Sequence, residues 1–149
     1  MKSLAYPIVA TLLLAALPLP ALSTCPDKSK VVFSCTIRSN SKHVEVCDTG
    51  GTITYSFGRP GLRPELAFAS PRDLVTTHQW KGLGPQGYTV DLPNGNTTYS
   101  VYIGSVVRDG YPDIEAGMNV VTPSRLVQLY CNLDTLEQDL EGIDLKEAE

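Results

Sequence analysis

The sequence has few of the side chains from which catalytic centres are usually built. Its 149 residues include two histidines and one tryptophan. A catalytic or metal-binding histidine normally belongs to a group of cooperating polar residues. His43 alternates with Glu45 in a predicted strand, where the outward face of a sheet explains both, and His78 lies in a predicted polar loop without a partnered acid nearby. The HExxH, GxSxG, P-loop and CxxC motifs are all missing. We therefore predict a protein that is not an enzyme and has neither cofactor nor metal.

The chain also lacks a basic surface pattern. Its formal net charge is −4, from 12 basic and 16 acidic residues, and no stripe of Lys and Arg is visible. Nucleic-acid binding is therefore disfavoured. Seven of the acids follow Cys131 and only one base does, Lys146, so the acidity is concentrated in the last part of the chain.

A long apolar run is missing as well. The N-terminal run over residues 8–19 is shorter than the roughly 20 residues that span a bilayer, and Pro18 and Pro20 interrupt it. With Lys2 before it and Ala21-Leu22-Ser23 after it, residues 1–23 match a secretory signal peptide. This predicts a periplasmic or secreted protein; a lipoprotein anchored through Cys25 is the less favoured alternative.

Four cysteines, an even number in an exported chain, favour two disulfides over a metal site or a thiol nucleophile. A hairpin centred on Ser41 places Cys35 opposite Cys47, which favours a Cys35–Cys47 bond and leaves Cys25 for Cys131. The pairing of Cys25 with Cys47 and of Cys35 with Cys131 stays open.

Residues 24–131 contain short β-branched and aromatic segments separated by turn signals. Three strands over residues 30–58 come first, and the Pro93-Asn94-Gly95-Asn96 turn marks a later hairpin. The pattern predicts an all-β fold, an antiparallel β-sandwich or small barrel of about eight strands.

Residues 132–149 break the β pattern. Leu133, Leu136, Leu140 and Ile143 recur at helical spacing among acids, which predicts a short C-terminal amphipathic helix or an acidic tail. Because the predicted strands and all four cysteines precede it, we expect truncation after Cys131 to leave the β-domain folded.

Candidate binding residues lie in or beside segments predicted as loops. Residues 104–112 are predicted to form a protruding loop, and rigid aromatics on loops commonly anchor protein interfaces. The predicted protein-binding set is Trp80, Lys81, Tyr102, Arg108, Asp109 and Tyr111. The nearby carboxylates of Asp109, Asp113 and Glu115 offer calcium ligands, but their spacing differs from an EF-hand and a solvated turn is favoured.

Several segments together resemble a family of small exported β-rich proteins of Gram-negative bacteria. The resemblance covers residues 25–131 and rests on Cys25, Phe33-Ser34-Cys35, Val44 to Cys47, Tyr55-Ser56-Phe57-Gly58, Glu65-Leu66, the segment from Tyr99 to Gly104, and Cys131. The layout is also similar to periplasmic lysozyme inhibitors and to immunity proteins against cell-wall-degrading effectors. The Ser-Gly loop of some lysozyme inhibitors has no match here, so no inhibitory residue is carried over.

The resemblance and the missing catalytic groups together favour a non-catalytic periplasmic protein that inhibits a peptidoglycan-degrading enzyme. The partner is then a lysozyme or the effector of a rival bacterium. Two alternatives stay open: a barrel that holds a small apolar ligand in the periplasm, and, less favoured, a hydrolase with an unrecognised site.

Overall fold

The computed structural model describes residues 25–80 and 86–149. The predicted signal peptide and Lys81 lie outside these residues.

Eleven strands form two sheets in the described part of the chain. The first sheet has the order β10-β1-β2-β3-β4, and the second has the order β11-β5-β6-β7-β8-β9. The strands are β1 Lys30–Thr36, β2 His43–Asp48, β3 Thr52–Gly58, β4 Leu66–Pro71, β5 Thr76–Trp80, β6 Gly87–Asn94, β7 Thr97–Arg108, β8 Tyr111–Thr122, β9 Arg125–Tyr130, β10 Glu137–Gln138 and β11 Lys146–Glu147. The all-β prediction is confirmed, and of its two forms the structure supports the sandwich.

Side chains that alternate along the strands fill the space between the sheets. Phe33, Ile53 and Tyr55 of the first sheet and Val90 and Met118 of the second are each at most 1% exposed. In the first sheet Tyr55 stacks on Phe68 with ring centroids 5.0 Å apart. Because large side chains occupy the interior, the sandwich has a packed core.

The disulfides join Cys25 to Cys47 and Cys35 to Cys131. The favoured Cys35–Cys47 pairing was therefore wrong, and the alternative pairing is the one found. The reason is register: β1 and β2 pair Cys35 with Val44 and Val31 with Cys47, so the hairpin turns earlier than the one centred on Ser41. Cys35 then faces the core, whereas Cys47 faces the opposite side of the sheet.

The predicted C-terminal helix was wrong. The segment from residue 132 runs beside β1, where β10 pairs antiparallel with it, and then crosses to the second sheet, where β11 pairs parallel with β5. We call residues 132–149 the strap. Leu140 in its middle is fully buried, and Leu136 and Ile143 pack against the core. Apart from a 3-10 helix at Leu133–Thr135, the strap is not helical. The helix-like spacing arises because the strap places these apolar residues over the gap between two sheet edges.

The side chain of Arg72 connects the strap to the first sheet. Arg72 Nη1 lies 2.6 Å from both carboxylate oxygens of Asp48, and Arg72 Nη2 donates to the Asp144 carbonyl at 2.7 Å. Partial burial acts to raise the pKa of Asp48, but hydrogen bonds from Arg72 and the Gly50 N–H outweigh it. The pKa of Asp48 is therefore lowered from its ordinary 3.8.

This lowered pKa predicts a pH-dependent loss of stability. A carboxyl group with a lowered folded-state pKa stabilises the fold above its unfolded pKa, and the contribution is lost as the pH falls through the folded pKa. We expect Asp48→Asn to cost on the order of 1 kcal/mol at pH 7 and to flatten the fall in stability below about pH 4. Urea unfolding across this pH range measures both. Asp73→Asn, at an exposed aspartate, is the matched control; an equal response from both variants would contradict the assignment.

Candidate functional site

The two longest strands extend beyond the rest of the second sheet. Pairing of β6 with β7 ends at Gly87 and Gly104, and pairing of β8 with β9 ends at Gly117 and Tyr130. Single backbone hydrogen bonds continue to Ser105 and Ala116. Beyond them, β7 and β8 pair only with each other among the described residues. We call residues 106–115 the ribbon.

The ribbon replaces the loop that was predicted over residues 104–112. Arg108 pairs with Tyr111, so only Asp109 and Gly110 form the turn. Both have positive φ angles, 51° and 83°, as a type I′ hairpin turn requires. The Asp-Gly pair between alternating segments was a hairpin signal, and it could have identified this element from the sequence.

One side of the ribbon is apolar and exposed. Val107 pairs with Pro112, and Ile114 lies two residues further on the same face. Val107 is 67% exposed and Ile114 51%. Tyr111 beside the turn is 75% exposed, but it pairs with Arg108 and therefore lies on the opposite face. Among the described residues this is a local concentration of large apolar side chains in water. Val107 and Ile114 were missed in the sequence because isolated apolar residues in a loop carry no signal.

The other side of the ribbon is charged. Arg108 Nε lies 3.1 Å from Asp113 Oδ2, and Arg108 Nη2 lies 2.6 Å from Glu115 Oε2. Arg108 is therefore held within the ribbon by two carboxylates and is not a free cation. Since Asp113 and Glu115 already bind this guanidinium, a calcium ion at these residues would have to compete with it.

Tyr102 connects this charged side to the sheet. Its hydroxyl accepts a hydrogen bond from Gln128 Nε2 at 2.9 Å and donates to Glu115 Oε1 at 3.3 Å. Burial, together with the Glu115 charge, raises the pKa of Tyr102 to about 12 although the Gln128 hydrogen bond lowers it. The side chain does lie on the outer face, as predicted, but it is only 8% exposed. Tyr102 therefore supports the base of the ribbon and is not an exposed anchor.

Trp80 lies at the end of β5 on the same outer face. Its indole covers Gly87, where an added Cβ would come within 2.2 Å of the ring, and its ring centroid is 5.5 Å from that of His78. Trp80 pairs with Gly87, Gly87 with Gly104, and Gly104 with Glu115, so these four residues form one row across the sheet. Trp80 and Glu115 are the two ends of this row. Three strand spacings separate them, about 14 Å. Of the predicted set, the structure thus brings Trp80, Tyr102 and Arg108 to one face, with Asp109 and Tyr111 at the ribbon's turn.

Two disulfides indicate an oxidising extracellular or periplasmic environment. In the described ranges, no helix has the length and apolar character needed to cross a bilayer. Comparisons with protein-family models, with curated proteins and with solved structures found no match to the chain.

Proposed function

We propose that this protein is a non-catalytic, exported protein-binding module that presents the ribbon to a peptidoglycan-degrading enzyme and inhibits it. The observation that carries the proposal is a set of exposed apolar side chains on a two-stranded element that projects from the sheet: Val107 and Ile114 on one face, and Tyr111 on the other face beside the turn. Exposed apolar groups gathered on one element mark interaction surfaces. An aromatic side chain at such a tip is a typical interface anchor.

The structure of the ribbon favours insertion into a concave surface. A two-stranded hairpin with a two-residue turn is narrow, and its backbone is ordered before binding, which lowers the entropic cost of association. The ion pairs of Arg108 with Asp113 and Glu115 tie its two strands together on one side. A rigid, narrow element with an aromatic tip suits an enzyme cleft better than a flat surface.

Charge favours a basic partner. The ribbon contains one arginine against Asp109, Asp113 and Glu115, a formal charge of −2, and the whole chain is −4. Complementary charge accelerates association and discriminates among partners. Peptidoglycan-degrading enzymes such as lysozymes are often basic, so they suit this surface. This replaces the expectation that Arg108 alone meets the cleft carboxylates.

The apolar-ligand alternative gains no comparable support. A ligand-binding barrel needs a hollow interior, whereas here Phe33, Tyr55, Met118 and Leu140 occupy the space between two sheets. We therefore carry only the protein-binding function forward.

Inhibition of purified lysozymes tests the proposal. We expect the wild-type protein to slow lysis of peptidoglycan suspensions by a basic lysozyme more than by an acidic one. Tyr111→Ala should weaken that inhibition at least about tenfold, because it removes the exposed anchor without touching the core. Lysis rates against inhibitor concentration give the inhibition constants.

A matched control separates the ribbon from general surface effects. Leu62 is 66% exposed and lies in the connection between β3 and β4 of the first sheet, whereas the ribbon belongs to the second sheet. Leu62→Ala should leave inhibition unchanged. If no lysozyme in the panel is inhibited, the proposed partner class is wrong; if Tyr111→Ala inhibits as well as wild type, the ribbon is not the binding element.

A further inference from the structure

A pocket of about 370 Å³ lies at the base of the ribbon, where β8 leaves the cover of β9. Its polar lining comes from Arg38, Arg108, Asp113, Glu115 and Tyr130. Its apolar lining includes Ile114, Ala116 and Leu133. Its volume is near the lower end of the range for small-molecule sites.

The charges in this pocket are separated into two unequal groups. Arg108 is shared by Asp113 and Glu115, which leaves one negative charge in excess on that side. Arg38, which follows β1, supplies a positive charge from a different element, and among the described residues its side chain makes no hydrogen bond or ion pair. The pocket is therefore dipolar.

The fold fixes the backbone of Arg38 and the side chain of Asp113. The Arg38 backbone N–H donates to the Tyr130 carbonyl at 2.9 Å, next to the Cys35–Cys131 disulfide. In the ribbon, Asp113 Oδ1 accepts the Ile114 N–H at 2.9 Å. A site whose parts are positioned before binding loses less entropy when a ligand arrives.

The carboxylates also retain acceptor capacity. Three of the four oxygens of Asp113 and Glu115 accept one hydrogen bond each, from Arg108, from the Ile114 N–H or from Tyr102, and the fourth, Asp113 Oδ2, forms an ion pair with Arg108. An ionised carboxylate offers about four acceptor positions. Both side chains can therefore still receive N–H donors from an ammonium group.

We propose that this pocket binds a small zwitterion, a short peptide with a free amino end and a free carboxyl end. The ligand carboxylate pairs with Arg38, and its ammonium donates to Asp113 and Glu115. The cube root of the pocket volume is about 7 Å, which matches the roughly 3.3–3.6 Å per residue of an extended dipeptide. The site does not rest on the proposed inhibition, since it requires no hydrolase.

Backbone amide NMR of the wild-type protein titrated with alanylalanine tests the site. We expect saturable shifts at Arg38, Ile114 and Tyr130 with a dissociation constant in the range of about 1–10 mM, because only two partly exposed charge pairs form. N-acetylated and C-amidated alanylalanine should each bind several-fold more weakly, and added salt should weaken the unmodified peptide.

Arg38→Gln should weaken binding by about threefold or more, while Arg63→Gln, at an exposed arginine between β3 and β4, should not change it. An amide spectrum of Arg38→Gln that matches the wild-type spectrum away from the pocket shows that the variant is folded. Absence of saturable shifts, equal binding of the blocked peptides, or equal weakening by both arginine variants would each overturn the proposal.

Discussion

Deletion of residues 139–149 is expected to unfold most of the protein at 37 °C, which reverses the expectation from the sequence that the β-domain folds without its C-terminal segment. The deletion removes Leu140, which is fully buried, with Ile143 and Leu145, which pack against the core, and it uncovers the edge of β5. Loss of one buried leucine side chain alone costs about 2–5 kcal/mol. A domain of this size is stable by about 5–15 kcal/mol in total. Circular dichroism and urea unfolding of the truncated protein measure the loss.

A single substitution gives a graded form of this test. Leu140→Ala should lower the free energy of unfolding by about 2–5 kcal/mol, whereas Leu74→Ala, at a leucine that is 57% exposed, should change it by less than about 0.5 kcal/mol. A truncated protein with the wild-type urea midpoint would show that the strap only rests on the surface.

The second large effect is expected from the disulfide that joins the two sheets. Cys35 lies in β1 and Cys131 directly after β9, with 96 residues of separation, while Cys25 and Cys47 are 22 apart. In the chain-entropy model a loop of about 100 residues contributes about 4.7 kcal/mol and one of about 15 residues about 3 kcal/mol. We expect Cys35→Ser with Cys131→Ser to destabilise the protein more than Cys25→Ser with Cys47→Ser.

Urea unfolding of the two double variants provides the comparison, and peptide mapping without reduction verifies the pairing. Each variant should keep the other disulfide, so alkylation before reduction should label no cysteine. Greater destabilisation from loss of the Cys25–Cys47 bond would contradict the ranking by loop length. A peptide linking Cys35 to Cys47 would contradict the register of β1 with β2.

The sequence was sufficient for the strands whose side chains alternate between core and solvent. β3 and β6 followed from such alternation, and the turn near Gly95 followed from its residue types. The sequence was insufficient wherever the structure depended on the register between two strands. The β1–β2 hairpin needs only a small shift in pairing to place Cys35 opposite Val44, and such a shift changes which cysteines share a face.

The candidate site was predictable in place but not in geometry. Arg108 and Tyr111 were identified from the residue types of the predicted loop, and they do lie at the exposed end of a hairpin. The two carboxylates that hold Arg108 come from the facing strand, so their pairing depends on β8 continuing past Gly117. The helical spacing in the strap led to a wrong prediction for a similar reason. A 3.6-residue period indicates which residues are buried, but it does not determine the backbone conformation of the segment.

The strap has a consequence for the order in which the protein folds. β10 and β11 cover the edges of β1 and β5, yet they follow every other strand in the chain. Until the strap arrives, two strand edges are open to pairing with other molecules, which is the usual route to aggregation. Lys146 must find Thr76 across 70 residues of chain, and such distant pairings slow folding. Export of the chain in an unfolded state, with chaperones shielding it until the strap is in place, would avoid that exposed intermediate.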